Sequence, residues 1–327
     1  SVPPNQKLMD FLRDDLGLVS VKNGCATGHC GTCTVIINGK AERSCLVLMK
    51  RVNGSVIETI ENLTPLEGLH PLQYSFIVEN AVQCGFCTPG MLLTSKALLD
   101  QNPHPNEEEI RQGLKNNLCR CTGYTSIVRA VQNAGRLVEQ GTLMVPLEAL
   151  HQPGSQSGLM GVENPDKHAI DGVTGRIKYA GDLKPHHLLF GKIKYADLPS
   201  ARIVSINVEE AYRFPGVHLV LTGDDVAGTN LVGILRRDQP AIVKKHVRSV
   251  GDIVAVVFAD SETLAEQAIA ALQVVYEPLP AIFSPQEAMQ TDAPRLHASG
   301  NICHKSFLKR GDVESAFQEA AVVVEGN

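Results

Sequence analysis

Apolar residues Leu8, Phe11, Leu12 and Leu16 recur every three to four positions, which predicts a short amphipathic helix over residues 3–16. After a glycine-rich break, Thr34–Ile37 predicts a buried strand, Asn38-Gly39 a hairpin turn and Ala41–Leu48 a return strand. Pro71–Val82 then predicts a helix through Leu72, Phe76 and Ile77. Thr88-Pro89 has the form of an N-cap followed by proline at the first helical position, and the helix runs to about Leu99. Asn106 with Glu109 is the Asn variant of a capping box, opening the stripe Ile110, Leu114, Leu118. A fourth helix, Ser126–Glu139, places Ile127, Val131, Ala134 and Val138 on one face. Gly141–Pro165 is rich in Gly, Pro and Ser and loses periodicity, which predicts a linker. Beyond it a mixed α/β pattern predicts strands at Ile203–Val208, Val217–Thr222, Gly251–Ala259 and Val274–Tyr276, with a helix over Ser261–Leu272.

The polar breaks hold the chemistry. Cys25, Cys30, Cys33 and Cys45 have the spacing C-x4-C-x2-C followed by one more cysteine, with Gly24, Gly28 and Gly31 interleaved. This is the spacing of plant-type [2Fe–2S] ferredoxins. Zinc sites usually pair C-x2-C with another C-x2-C or with His, so zinc is disfavoured. A second quartet, Cys84, Cys87, Cys119 and Cys121, falls at helix ends as C-x2-C and C-x-C, and the positive N-terminus near Thr88 suits an anionic cluster. With eight thiolates and no His, Rieske-like potentials are excluded. Cys303 is left over and is read as an incidental or buried thiol. His186-His187, Arg236-Arg237 and Lys244-Lys245 are read as solvated surface, and the run Gly24, Gly28, Gly31 is not a nucleotide fingerprint, since no P-loop Lys follows.

Composition narrows the class further. A length of 327 residues suggests two or three domains, and 43% hydrophobic with 20% charged residues is ordinary for a globular chain. A net charge of -5 offers no basic field for nucleic acid, and no apolar run is long enough to cross a membrane. The odd count of nine cysteines, their close clustering and the absence of a visible export signal favour metal-bound thiolates over disulfides, and a cytoplasmic setting.

The motifs G-C-A-T-G-H-C-G-T-C-T-V, Q-C-G-F-C-T-P-G-M and N-L-C-R-C-T-G-Y resemble the iron–sulfur region of the molybdenum hydroxylases, the xanthine dehydrogenase/aldehyde oxidoreductase family. V-T-G-R-I-K-Y-A-G-D, V-G-D-I-V-A-V-V-F-A and V-V-Y-E-P-L-P-A resemble the α/β hammerhead region of the same family. The resemblance implies an α+β multidomain chain. Residues 1–64 would be a β-grasp ferredoxin domain lacking its first hairpin, and 65–140 a four-helix [2Fe–2S]-binding domain. Residues 141–165 would be the linker, 166–285 the hammerhead domain and 286–327 the truncated start of a molybdopterin-binding domain. The chain is thus expected to be part of a longer polypeptide.

The same resemblance implies that Cys25, Cys30, Cys33 and Cys45 hold one [2Fe–2S] cluster and Cys84, Cys87, Cys119 and Cys121 the other. Gln83 and Cys121 correspond to family residues that contact molybdopterin. The implied reaction is hydroxylation of a purine, another N-heterocycle or an aldehyde with oxygen from water. Electrons would leave through the two clusters to a flavin or another acceptor. FAD is not expected on this chain, and no catalytic residue is named within it. The expected partners are the molybdopterin domain or subunit, a flavoprotein subunit or other acceptor, and a small-molecule substrate; a homo-oligomer is expected. The alternative is a non-catalytic two-cluster subunit docking on a separate catalytic chain.

Overall fold

The computed structural model describes residues 2–150, 166–234 and 236–326. They divide into two compact units, Ser1–Lys184 and Pro185–Asn327.

The first unit opens with an α turn, Leu8–Asp10, that widens into a π turn, Phe11–Asp15. The helix is shorter than its apolar rhythm suggests: Leu8 and Leu12 are buried, but Leu16 lies beyond its end and is exposed. Strands β1 (Thr34–Ile37), β2 (Lys40–Arg43) and β3 (Ile57–Glu58) form an antiparallel sheet in the order β2-β1-β3. Asn38 and Gly39 both have positive φ, 50° and 78°, as the tight β1–β2 turn requires. The return strand stops at Arg43. The chain then tightens into a 3₁₀ turn, Ser44–Leu46, so Cys45 sits on a turn and not on a strand. That turn is fixed because the Ser44 hydroxyl donates to the Cys33 carbonyl at 2.7 Å.

Four helices follow: α1 (Pro71–Val78), α2 (Thr88–Gln101), α3 (Glu107–Leu114) and α4 (Thr125–Glu139). They share one core with Met91, Leu92, Ile110, Ile127 and Val131 at its centre. Three boundaries differ from the sequence expectation. α1 ends at Val78, four residues early, because Asn80 takes a left-handed φ of 52°. Cys87, not Thr88, is the N-cap of α2, and no side chain caps that end. α3 ends at Leu114, so Leu118 lies beyond it; Leu118 and, inside α4, Val138 are exposed. The Asn106–Glu109 capping box forms as expected, with reciprocal bonds of 2.9 and 2.8 Å.

The linker expectation holds less well. Leu69 and Val145 exchange two backbone hydrogen bonds of 2.8 Å, and Leu150 is buried in the helical core, so residues 141–150 are anchored at Val145 and Leu150 while most of their other side chains are exposed. Residues 151–165 lie outside the described residues. The chain returns as α5 (Ala169–Val173), whose Val173 carbonyl accepts from the buried Gln73 amide of α1 at 3.0 Å. Residues 174–184 stay with this unit.

The second unit is built from β4 (Phe190–Tyr195), β5 (Ala201–Asn207), β6 (Val217–Thr222), β7 (His246–Val247), β8 (Ile253–Ala259) and β9 (Gln273–Pro278). Two antiparallel sheets result, in the orders β4-β8-β6 and β9-β5-β7. Helix α6 (Glu262–Ala271), capped by Ser261, buries Ala265 and Ala268. Val254, Ala255, Val257 and Ala259 of β8 are buried, as expected for a central strand with both faces covered. Residues 281–326 carry two short helices, Pro285–Ala288 and Val313–Glu319, and none of these residues is buried.

Candidate functional site

Each cysteine quartet comes together in space. In the first, the Cys25 thiol lies within hydrogen-bond reach of Cys30, and Cys45 within reach of Cys33. In the second, Cys84 pairs with Cys121 and Cys87 with Cys119. Among the described residues no three His, Cys, Asp or Glu side chains gather as a single-ion site. Two pairs of thiols per site is the arrangement a two-iron cluster calls for. All nine cysteines are free; Cys33, Cys45 and Cys119 are buried, Cys84 and Cys121 exposed.

The first loop is a backbone device. The amides of Thr27 and His29 both donate to the Cys25 sulfur at 3.4 Å. Hydrogen bonds from the Thr27 side chain and from backbone amides hold that thiol down at about 5, while burial pushes Cys45 up to about 11. Turning several amides toward one sulfur requires unusual backbone. Gly31 sits at φ 66°, and a Cβ there would strike the Asn116 carbonyl. Gly24 has ordinary φ and is small for another reason: its Cβ would fall 2.9 Å from the Cys30 sulfur. Arg43 closes the loop by donating to the Gly28 carbonyl at 2.7 Å.

The second quartet is assembled from two loops. Cys87 caps α2, and Cys119 and Cys121 precede α4. Tyr124, at φ 70°, turns its hydroxyl back to donate to the Asn117 carbonyl at 3.1 Å and to accept from the Cys119 amide at 2.8 Å. Burial raises Cys119, but hydrogen bonds from the Thr122 side chain and backbone outweigh it and leave the thiol lowered; the Thr122 oxygen is 3.3 Å from the sulfur. Burial raises Cys87 and Cys84. The loops of the two quartets also touch: the Leu118 backbone amide donates to the Cys30 carbonyl at 2.9 Å, and the Asn117 side-chain amide to the Gly31 carbonyl at 3.1 Å.

Soft thiolate donors, amides aimed at sulfur and glycines where a side chain would collide with the loop all fit iron–sulfur clusters. Gln83 is exposed beside Cys84. Cys303 is exposed rather than buried, and His186, His187, Arg236, Arg237, Lys244 and Lys245 are exposed as expected.

Three family patterns match the chain. Residues 7–82 match the "2Fe-2S iron-sulfur cluster binding domain" and 59–132 the "[2Fe-2S] binding domain". Residues 174–280 match the "Aldehyde oxidase and xanthine dehydrogenase, a/b hammerhead domain". The nicotinate dehydrogenase small FeS subunit of Eubacterium barkeri is 51% identical over 40% of this chain and 83% of its own length. The chain belongs to the molybdenum hydroxylase family. Aldehyde oxidoreductase of Megalodesulfovibrio gigas is 37% identical over 98% of this chain. The solved aldehyde oxidoreductase of Desulfovibrio gigas superposes on all of the chain with a TM-score of 0.87 at 36% identity. This molybdenum hydroxylase chain spans 37% and 38% of the lengths of those two proteins. Among the described residues no helix is long and apolar enough to cross a membrane.

Reading the sequence missed Asn117, Tyr124, Tyr179, Lys22 and Asp182. Tyr124 and Tyr179 stand inside the motifs N-L-C-R-C-T-G-Y and V-T-G-R-I-K-Y-A-G-D, so the motifs were a signal, but neither carries a charge or a metal donor that spacing alone would flag. Lys22 and Asp182 are 160 positions apart and nothing local pairs them.

Proposed function

We propose that this chain is the electron-transfer and hammerhead portion of a molybdenum hydroxylase acting on a purine, another N-heterocycle or an aldehyde. In the overall reaction R–H and water become R–OH, with two protons and two electrons released. When bound, molybdopterin and the two [2Fe–2S] clusters supply the oxidation and one-electron storage for those electrons. Cys25, Cys30, Cys33 and Cys45 would hold one cluster; Cys84, Cys87, Cys119 and Cys121 the other. The Leu118–Cys30 and Asn117–Gly31 bonds keep the two loops at fixed separation. Gln83 and Cys121, exposed at the rim of the second quartet, are the proposed contacts to molybdopterin. Residues 286–327 are the proposed entry to the domain that binds it. FAD is assigned to a separate flavoprotein or replaced by another acceptor. The free thiols suit a reducing, cytoplasmic setting; a homo-oligomer is proposed on the family resemblance alone.

The observation that carries this reading is the joining of two complete cysteine quartets within one compact unit, collinear with a hammerhead domain. Low-temperature EPR with iron quantification tests it. Two distinct [2Fe–2S] signals after dithionite, with about four irons per chain, are expected. Stoichiometric zinc and no EPR signal would sink it. The second reading, a non-catalytic two-cluster subunit, is favoured by the likeness to a small FeS subunit. Purification of the native protein separates the two: molybdenum on the same polypeptide supports the enzyme, and molybdenum only on a separate copurifying chain supports the subunit.

A further inference from the structure

We propose that Tyr179 is a positioning residue for the second cysteine quartet, whose hydroxyl holds the Cys84–Cys87 loop and sets the reduction potential of the cluster bound there. This rests on the assignment of Cys84, Cys87, Cys119 and Cys121 as cluster ligands. Tyr179 belongs to the hammerhead family pattern by sequence, yet it packs with the iron–sulfur unit. Its hydroxyl donates to the Cys84 carbonyl at 2.6 Å, across 95 residues of chain. Its ring meets Phe86 edge to face at 5.0 Å.

Everything around the ring fixes it. Asp182 accepts the Tyr179 amide at 3.0 Å and forms ion pairs with Lys22 at 2.7 Å and Arg13 at 2.8 Å. Lys22 is fully buried, donates to the Ile177 carbonyl at 2.9 Å and places its ammonium 4.7 Å from the Tyr179 ring centre. On the other side Gly85, at φ 80°, leaves room that a Cβ would take, since it would lie 3.1 Å from the phenol oxygen. Ile177 Cδ1 would be closer still, at 2.9 Å, so the loop packs tightly against the segment that carries this hydroxyl.

The hydroxyl therefore does more than fill space. An O–H donated to the carbonyl of a ligand residue turns the positive end of a fixed dipole toward that loop. Reduction adds negative charge there, and a fixed donor favours the more negative state. Tyr179→Phe keeps the ring and its edge-to-face contact and removes only the donor.

The test is an EPR-monitored redox titration of the full chain loaded with iron and sulfide, as wild type, Tyr179→Phe and Tyr179→Leu. A Cys87→Ser variant assigns the two signals. The expected result for Tyr179→Phe is a more negative midpoint for the Cys84–Cys87 cluster alone, at unchanged iron content. Tyr179→Leu, lacking the ring as well, is expected to lose that cluster selectively, halving the iron. Unchanged midpoints in Tyr179→Phe, or equal shifts of both clusters, would overturn the proposal. A wild-type chain without the second signal would instead refute the ligand assignment, and this proposal with it.

Discussion

The two cysteine quartets reach the same donor set by different routes. Three cysteines of the first lie within nine residues, on one loop whose amides and glycines do most of the shaping. The second joins loops more than thirty residues apart; Thr122 and Tyr124 shape one of them from within, but the other depends on a side chain sent from elsewhere, Tyr179 from beyond α5. A contiguous loop can be encoded by local backbone preference, whereas a composite site needs the tertiary fold first. The first quartet is therefore expected to tolerate distant substitutions that cripple the second.

The largest test attacks the point both share. Gly31→Val forces a β-branched residue into positive φ against the Asn116 carbonyl. It should cost more than about 4 kcal/mol and prevent loading of the first cluster, read by thermal unfolding and iron content. Cys87→Ser is more selective. It should remove the second EPR signal, leave the first, and lower iron from about four to about two per chain.

Asp182→Asn comes next. It leaves the buried Lys22 and the partly buried Arg13 without their carboxylate, and breaking a buried pair this way costs about 3–5 kcal/mol. Lys22→Met removes one cation and leaves the Arg13–Asp182 pair intact, so a much smaller loss in urea unfolding is expected. The second cluster should be the one lost first in Asp182→Asn, because the segment carrying Tyr179 loosens.

A pH test probes the helical scaffold. Burial holds His70 down at about 4, where its neutral ring accepts the Leu72 amide at the start of α1. The unfolded chain binds this proton more readily. The His70 contribution is therefore complete above about 6.5 and is lost as pH falls toward about 4, a span worth a few kcal/mol. His70→Asn, which keeps a capping acceptor, should flatten that part of the stability–pH curve. The smallest effect is expected from Asn106→Ala, which removes the cap of α3 far from either quartet; about 1 kcal/mol by thermal unfolding, with both EPR signals unchanged.

The same contrast explains what the sequence disclosed. The Cys25–Cys33 spacing, the Asn38-Gly39 turn and the Asn106–Glu109 box are local devices, and each could be read from a few adjacent residues. The stripe of α3 was read one position too far, at Leu118, because periodicity continues past the point where the backbone ends that helix at Leu114; in α4 the helix does reach Val138, but the packing no longer covers it. Cys45 was expected on a strand because Ala41–Leu48 was read as the return strand of the Asn38-Gly39 hairpin; the Ser44 bond to the Cys33 carbonyl that bends it into a turn is a tertiary contact. Residues 174–184 carried a hammerhead motif, and nothing in that motif announces that Ile177, Tyr179 and Asp182 bond to residues more than 90 positions earlier.

That long reach also sets a clock. Lys22 finds its carboxylate only when Asp182 has been made, 160 residues later. At ribosomal rates of about 5–20 residues per second, roughly ten to thirty seconds separate the two. During that interval an ammonium destined for the interior stays hydrated, and the loop before Cys25 is free to move. Metal delivered to the nascent chain in that window would meet the first cysteines before their surroundings have closed. An insertion system that waits until residues 174–184 are made would meet a loop already held by Asp182 and Tyr179 instead.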